Sequence, residues 1–530
     1  MSDSSLSRRG FLGGTAATGG LLAAPRLATA QDRRVLRFVP SMDLAVLDPI
    51  VSTAGATLVH SLLVYDTLYG LDQNFRPQPQ MVAGHTIEDD GLTWIMTLRE
   101  GLRFHDGEPV LARDAVASIR RWGARDVFGQ EVLLRSDEIT ALDDRRLCFR
   151  LKSPFSLLPD ALGKHGPSLC VIMPERLART EPTRPVTDAV GSGPFVFLRD
   201  QHMAGARAAY RRFEGYVPRP DGTPSRMAGP KIAHFDRLEW TVMPDPATRA
   251  AALRAGEVDW VEELPSDMAP VISRRPDLVV TARADTTTAI LRMNHVQPPF
   301  DNPAIRRALL GAVKQEDFMT AAFGTDRTFW KSGVGFFSSN SPMASQAGME
   351  LLTGPRDMNK VKRDLAAAGY AGERVVLMQP EDWAHVKALS EIAGDMLRQA
   401  GMNVDVQVSD WNSIAARRAS RAPVAQGGWS VFMTSLTSSI DPGGHLGLRA
   451  NGERAWFGWP ESPRLESLRQ DWFAAPNEPA RAAICAQMQL KAFEDVPCIP
   501  VGEYRAIGAH KRGLTGLGPG TTHFFGVRWA

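Results

Sequence analysis

Catalysis needs particular side chains at set spacings, and this chain lacks the recognisable ones. No G-x-S-x-G elbow presents a nucleophile; Gly191-Ser192-Gly193-Pro194 reads as a turn. No G-x-x-x-x-G-K-[ST] loop is present to cradle phosphates, and no G-x-G-x-x-G follows a strand. The eleven histidines never fall at H-x-x-x-H, and no cysteine joins them at metal-ligand spacing. His105 sits in a hairpin turn, His295 beside a strand end, and Asp89-Asp90 against Gly91, all ordinary structural positions. The sequence therefore nominates no catalytic residue, no metal ligand and no cofactor. Triads are set by space and not by chain order, so an exported enzyme stays open as a second class. A chaperone or sensor partner is a third.

The segment with the strongest chemical signature is GGWSVFMTSLTSSIDPGG, Gly427 to Gly444. From Ala422 to Ile440 no residue is charged, although 23% of the chain is; Asp441 then precedes Pro-Gly-Gly. Its serines and threonines, Gln426, Pro423 and the glycines make it too polar and too interrupted to span a bilayer. It reads as a strand and loop whose aromatics either fill a core or face a ligand.

Around it the pattern is α/β. VLRFV opens as a strand, Trp94 to Leu98 alternates weakly, and Asp106-Gly107 is a turn signal. Ala112 to Trp122 carries a narrow helical stripe of Val116, Ile119 and Trp122. A second organisation starts near 236: strand FDRLEWTVMP, then helix ATRAAALRAGEVDWV with Gly256 near its end. LVVTARADTTTAILRMNH reads as strand, turn and strand, and IRRALLGAVKQEDFMTAAF as one helix behind Asn302-Pro303. GERVVLMQP, HVKALSEIAGDMLRQAG and MNVDVQV follow as strand, helix and strand, and PCIPVGEYRAIGAHKRG as one or two strands. This alternation marks α/β units with mixed or parallel sheet.

At 530 residues the chain exceeds the roughly 250–300 that one core supports, so two or three domains are expected. A formal charge of +2 leaves no basic tract for nucleic acid or for anionic lipid. The first residues resemble a twin-arginine export signal: S-R-R-x-F-L at Arg8-Arg9, an apolar run from Gly13 to Leu22, and Ala28-Thr29-Ala30 as a cleavage site. Residues 1–30 are thus expected to be removed after Ala30, leaving an exported, periplasmic chain without net charge. The four cysteines have no zinc or redox spacing. Cys148 and Cys170 lie in apolar runs that could face each other across a sheet. Ten further helical residues beyond Cys485 span about 15 Å, too far for a bridge to Cys498.

Several segments carry a family likeness. VYDTLYGLDQNFRPQPQMVAGHTIEDDGLTWIMTLREGLRFHDGEPVLARDAVASI resembles the long signature of extracellular solute-binding proteins of the dipeptide/oligopeptide type, family 5, which serve ABC importers. VGSGPFVF, LRAGEVDWV, LRMNHVQPPFDNPAIRRAL, AAAGYAGE, AWFGWPESPRLESL and CAQMQLKAFEDVPCIPV follow in family order. The resemblance implies an α/β, two-lobed periplasmic-binding-protein fold of type II, in its large three-subdomain form, with mixed sheets and a hinge. Lobe I is expected from 31–60, 190–288 and 505–530, an inserted subdomain from 61–189, and lobe II from 289–504. The chain would cross between lobes near 285–295 and 497–508.

The likeness also implies where a ligand sits. Thr53, Ala54 and Gly55 match the loop whose backbone pairs with the ligand. In peptide binders a carboxylate about three residues after a tryptophan holds the free amine; counted from Trp429, that position is Phe432. Either Asp441 reaches in, or the solute has no free amine, and the missing charge favours the second. The resemblance implies capture of a peptide or peptide-like small solute in an interlobe cleft, with a non-peptide solute (an opine, a sugar or a metal chelate) as the alternative. Trp411, Met433, Arg449 and Trp456 complete the candidates, Arg449 as a fork for a carboxylate. The competing reading makes Trp429, Phe432 and Met433 core and Arg449 a solvated surface residue. The implied partners are the solute and an ABC permease with its ATPase, the protein acting as a monomer without cofactor or nucleic acid.

Overall fold

A computed structural model of the chain describes residues 34–283, 285–437, 440–518 and 522–530. The expected export signal and its expected cleavage site lie outside the described residues. Among the described residues no helix is long and apolar enough to cross a membrane.

Three sheets position the site. The first has seven strands in the order Leu278–Ala282, Ile507–Lys511, Trp260–Val261, Val35–Val39, Arg237–Thr241, Arg207–Arg212, Phe195–Phe197. Val35–Val39 runs parallel to both its neighbours, so their carboxyl ends share one edge. Its alternation puts Leu36 and Phe38 inward, where Phe38 meets Trp240, Trp260 and Phe524 with ring centres 5.0–5.4 Å apart.

The second sheet has six strands, Trp330–Lys331, Ile499–Tyr504, Thr287–Met293, Val431–Leu436, Arg374–Pro380 and Asn403–Ser409 in spatial order. Thr287–Met293 is buried along its whole length, including Arg292. That guanidinium is tolerated because the carbonyls of Phe457, Gly447, Pro497 and Trp456 all accept from it. The third sheet is antiparallel, Val82–Glu88, Thr93–Leu98, Arg146–Leu151 and Ser136–Ala141, and helix Ala112–Gly123 packs on it.

Strand Leu278–Ala282 belongs to the first sheet and Thr287–Met293 to the second, and the chain returns to the first between Tyr504 and Ile507. The two crossings are bonded to each other: Arg283 N–H donates to the Ala506 carbonyl at 2.9 Å, and Arg505 Nε to the Arg283 carbonyl at 2.6 Å. LVVTARADTTTAILRMNH is thus not a hairpin, since its two strands belong to different sheets. The helix expected over IRRALLGAVKQEDFMTAAF is broken into Pro303–Ala308, a 3-10 turn at Leu309–Ala312, and Gln315–Phe323. Gly311 weakens the middle, and β-branched Val313 takes an extended conformation that ends the turn.

Buried ion pairs tie the layers together. Asp48, in the loop after the first strand, holds Arg121 of the helix on the third sheet through two bonds of 2.6 and 3.1 Å. Asp48 also accepts from the backbone N–H of Ile50 and Val186. Asp66 pairs with Lys231 at 2.6 Å and accepts from Tyr216. All four cysteines are buried and free; Cys148 and Cys170 are not bridged. Glycine is required where Gly256 ends helix Pro246–Ala255 with φ of 78°.

Candidate functional site

A cavity of about 360 Å³ lies between the two large sheets, beside the crossing residue Ala506 and the strand residue Ile507. Its walls are the carboxyl ends of strands, where α/β sheets place ligands. From the first sheet come Ser41, following Val35–Val39, and Glu263 and Asp267, following Trp260–Val261. From the second come Glu381, Asp382, Trp383 and His385, which follow Arg374–Pro380 and open helix Ala384–Gln399. Phe323, ending its own helix, stacks on Tyr504 at 4.2 Å and completes the wall.

The lining is acidic. Four carboxylates, Glu263, Asp267, Glu381 and Asp382, face Arg249 and His385. Arg249 is committed to the Met243 and Pro244 carbonyls, and burial pulls its pKa down. His385 Nδ1 meets Glu263 at 2.7 Å, and its Nε2 meets Tyr504 Oη at 2.9 Å. Burial by itself would raise the Glu263 pKa; His385, then Arg283 and Arg249, overcome it and hold the carboxyl below its usual value. The remaining acids leave the cavity able to take a cation.

Next to this wall the second sheet splits. Arg374–Pro380 and Val431–Leu436 pair only at Leu377–Val431 and Met378–Phe432, although both strands run on. On its other side Val431–Leu436 is fully paired, from Val431 to Leu436, with Thr287–Met293. From Met433 to Leu436 this side of the strand has no partner strand, although Met433, Thr434 and Leu436 are themselves buried.

The residues singled out from sequence are scattered relative to this cavity. Trp429, Phe432 and Met433 are fully buried in the second sheet, and Phe432 pairs with both Arg292 and Met378. The position three residues after Trp429 is thus buried between two strands and against the rings of Trp429 and Trp456. The carboxylates that line this cavity are Glu263, Asp267, Glu381 and Asp382. Asp441 does not reach the cavity wall: its Oδ1 accepts from Gly443 N–H at 2.8 Å and Gly444 N–H at 3.3 Å, closing its own turn. Burial raises its pKa against those bonds and the pull of Lys164 and Arg469.

Arg449 is not a free fork either; it pairs with Glu466 at 3.0 Å and reaches Gln130 of the third-sheet layer at 3.4 Å. Thr53, Ala54 and Gly55 open helix Gly55–Val64 and stand outside the cavity lining, with Ala54 N–H on Ser52 Oγ. Trp411 is the one candidate joined directly to the wall: its N–H donates to Asp382 Oδ1 at 2.8 Å, and its ring meets Trp383 edge-on at 4.6 Å. Trp456 is half-buried nearby, 6.0 Å from Phe432. The acids missed from sequence share one signal, a carboxylate pair just past an apolar strand, in VDWVEELPSD and VVLMQPEDW.

The description "bacterial extracellular solute-binding proteins, family 5 Middle" fits residues 76–447 of the chain. A probable peptide ABC transporter periplasmic-binding protein of Sinorhizobium fredii is 38% identical over 527 residues, covering 97% of this chain and 98% of that one. The periplasmic binding protein AgaA of A. tumefaciens R10, solved with agropinic acid, superposes with a TM-score of 0.78 at 20% identity, over 94% and 99% of the two chains. DppA of Helicobacter pylori, solved with the peptide STSA, gives 0.78 at 20% identity over 93% and 98%. The chain belongs to the bacterial extracellular solute-binding proteins of family 5.

Proposed function

We propose that this protein captures a peptide or peptide-like small solute with a free amino group in the interlobe cavity and hands it to an ABC permease and its ATPase. The observation that carries this is the acidic wall built from both sheets, beside a strand edge left without a partner strand. An ammonium leaving water needs a carboxylate partner, and an extended backbone needs an edge to pair with. The peptide named with the Sinorhizobium relative and the peptide held by DppA are compatible with that chemistry.

The lobes are taken as 31–60 with 190–288 and 505–530, and 289–504, with 61–189 inserted, hinged at the two crossings. The solute favours the closed form because only there do both walls touch it. No step alters the solute. Export by the twin-arginine signal, cleavage after Ala30 and action as a periplasmic monomer complete the reading.

The test is calorimetry and thermal shift on the mature chain with short peptides, their N-acetylated forms, opines, sugars and metal chelates. A bound solute raises the melting temperature. Free-amine peptides are expected to bind, and N-acetylation to weaken them about tenfold or more. Binding confined to solutes without an amine would overturn the peptide reading in favour of an opine, sugar or chelate. Turnover of any of them at catalytic rates would overturn binding as the sole activity.

A further inference from the structure

His385 stands in the first turn of helix Ala384–Gln399, buried, with each ring nitrogen on a partner from a different sheet. Nδ1 meets Glu263 of the first-sheet wall at 2.7 Å, and Nε2 meets Tyr504 Oη at 2.9 Å. The rings of Trp383 and Phe323 close on the imidazole, with centres 5.1 and 5.5 Å away.

The protons along this chain have one consistent arrangement. Tyr504 has a single hydroxyl proton and donates it to Ser435 Oγ at 3.0 Å. Its oxygen therefore accepts from His385, and Nε2 carries a proton. Nδ1 faces an ionised carboxylate, which can only accept, so Nδ1 carries a proton as well. A ring that donates from both nitrogens is an imidazolium.

The other charges at this wall are the carboxylates Asp267, Glu381 and Asp382 and the guanidinium groups of Arg249 and Arg283. Arg249 donates to the Met243 and Pro244 carbonyls, and Arg283 to Glu262 and Thr522. Among the described residues the cation bonded to Glu263 is thus His385. Without it the wall would hold a largely buried carboxylate that has no counter-ion, a costly state.

We infer that His385 is an internal stand-in for the solute's ammonium: it occupies Glu263 while the cavity is empty and yields the place, with one proton, when a solute amine arrives. This rests on the capture of a free-amine solute proposed above and adds how that capture is regulated. In the exchange the Nδ1 proton passes to water and the Glu263 carboxylate accepts from the solute ammonium. The ring keeps its Nε2 proton on Tyr504. An imidazolium that stayed would face the ammonium across one carboxylate, and like charges at that range disfavour each other. Because a proton leaves, acid weakens capture.

The test is calorimetry with trialanine, Ala-Glu-Ala and Ala-Lys-Ala in two buffers of different ionisation enthalpy, which reads the protons released per solute. At pH about 6 wild type should release about one, and His385→Gln, which has no proton to lose, none. Wild-type affinity should be about tenfold weaker at pH about 5.5 than at about 6.5, and that of the variant nearly unchanged. Nitrogen NMR of the unliganded chain reads the ring itself, as an imidazole with both nitrogens protonated that His385→Gln removes. If that variant does not fold, Tyr504→Phe identifies the same signal by shifting it, since it takes away the acceptor of Nε2.

Peptide binding without proton release overturns the inference, and so does a release that His385→Gln retains. If none of the three peptides binds, capture of a free-amine peptide falls and the ring signal decides alone. Two protonated nitrogens then keep His385 as the internal cation of Glu263, and a single one removes it.

Discussion

Glu263 and His385 meet at 2.7 Å, and they come from opposite sheets. The carboxylate stands past the end of a first-sheet strand, and the imidazole in the first turn of a second-sheet helix. Tyr504 extends the link, its hydroxyl donating to Ser435 at 3.0 Å and leaving its oxygen for His385 Nε2. The contact spans the two sheets directly at the cavity where a solute is proposed to sit.

Glu263→Gln should therefore loosen the closed arrangement, by about 1–3 kcal/mol as for a charge-assisted hydrogen bond. The pH dependence has a defined sign. Because the Glu263 pKa is held below its ordinary value, its contribution is present above that ordinary value, near 4.3, and lost as pH falls through the lowered one. Melting curves of wild type and Glu263→Gln should differ at neutral pH and converge in acid. A gap that persists unchanged in acid would show that the ion pair is not its source.

Asp160 should behave in the opposite sense. Burial, reinforced by the negative charge of Asp441, raises its pKa to about 6. Its protonated form is the one the fold favours, so that stability is complete below the unfolded value near 3.9 and lost as pH rises through about 6. Asp160→Asn should melt higher than wild type at pH about 7.5, by up to about 3 kcal/mol, and match it near pH 4. A variant no more stable than wild type at the higher pH would contradict this.

The buried Asp48–Arg121 pair fixes the third-sheet layer to the loop after the first strand. Asp48→Asn leaves the Arg121 charge buried with only the Thr180 and Arg184 carbonyls, and should cost about 3–5 kcal/mol. Denaturant unfolding measures it directly. A cost below about 1 kcal/mol, the range of exposed pairs, would mean that water reaches the pair.

Much of this was legible in the chain, and what was not has physical reasons. The Val35–Val39 alternation, the helix at Ala112 and the Gly256 stop are local signals, and local signals are read directly. That LVVTA and TTTAILRM belong to different sheets is a long-range fact: their spacing is what a hairpin would give, and only pairing with Ile507–Lys511 and Val431–Leu436 separates them. The site suffered most. The missing charge at Phe432 is plain in the sequence, whereas its burial between the strands that carry Arg292 and Met378 is a long-range fact. Glu263 and His385 stand 122 positions apart, and no window of sequence holds both.

Gly443 offers a test of closure that leaves every proposed ligand contact in place. A Cβ built there would stand 2.8–2.9 Å from the Phe128 ring and 3.0 Å from Asp441 Oδ1, so something must shift. Phe128 cannot yield easily: it is buried, with Phe473 at 5.5 Å and Phe155 at 6.4 Å. Phe128 and Phe155 belong to the layer around the third sheet, whereas Gly443 follows strand Val431–Leu436 of the second and Phe473 lies in helix Pro463–Ala474. The added methyl therefore pushes the two bodies apart where Gln470 Nε2 also donates to Glu131 Oε2 at 2.9 Å. Apparent affinity scales with the fraction of molecules that can close, so Gly443→Ala should weaken solute binding about tenfold if closure loses about 1.4 kcal/mol. Phe128→Ala in the same chain makes room and should recover part of the loss, a recovery that simple unfolding would not give. Small-angle scattering should find the liganded single variant more extended than liganded wild type. Wild-type affinity and dimensions in Gly443→Ala would mean that the solute is gripped without the inserted layer meeting the second lobe.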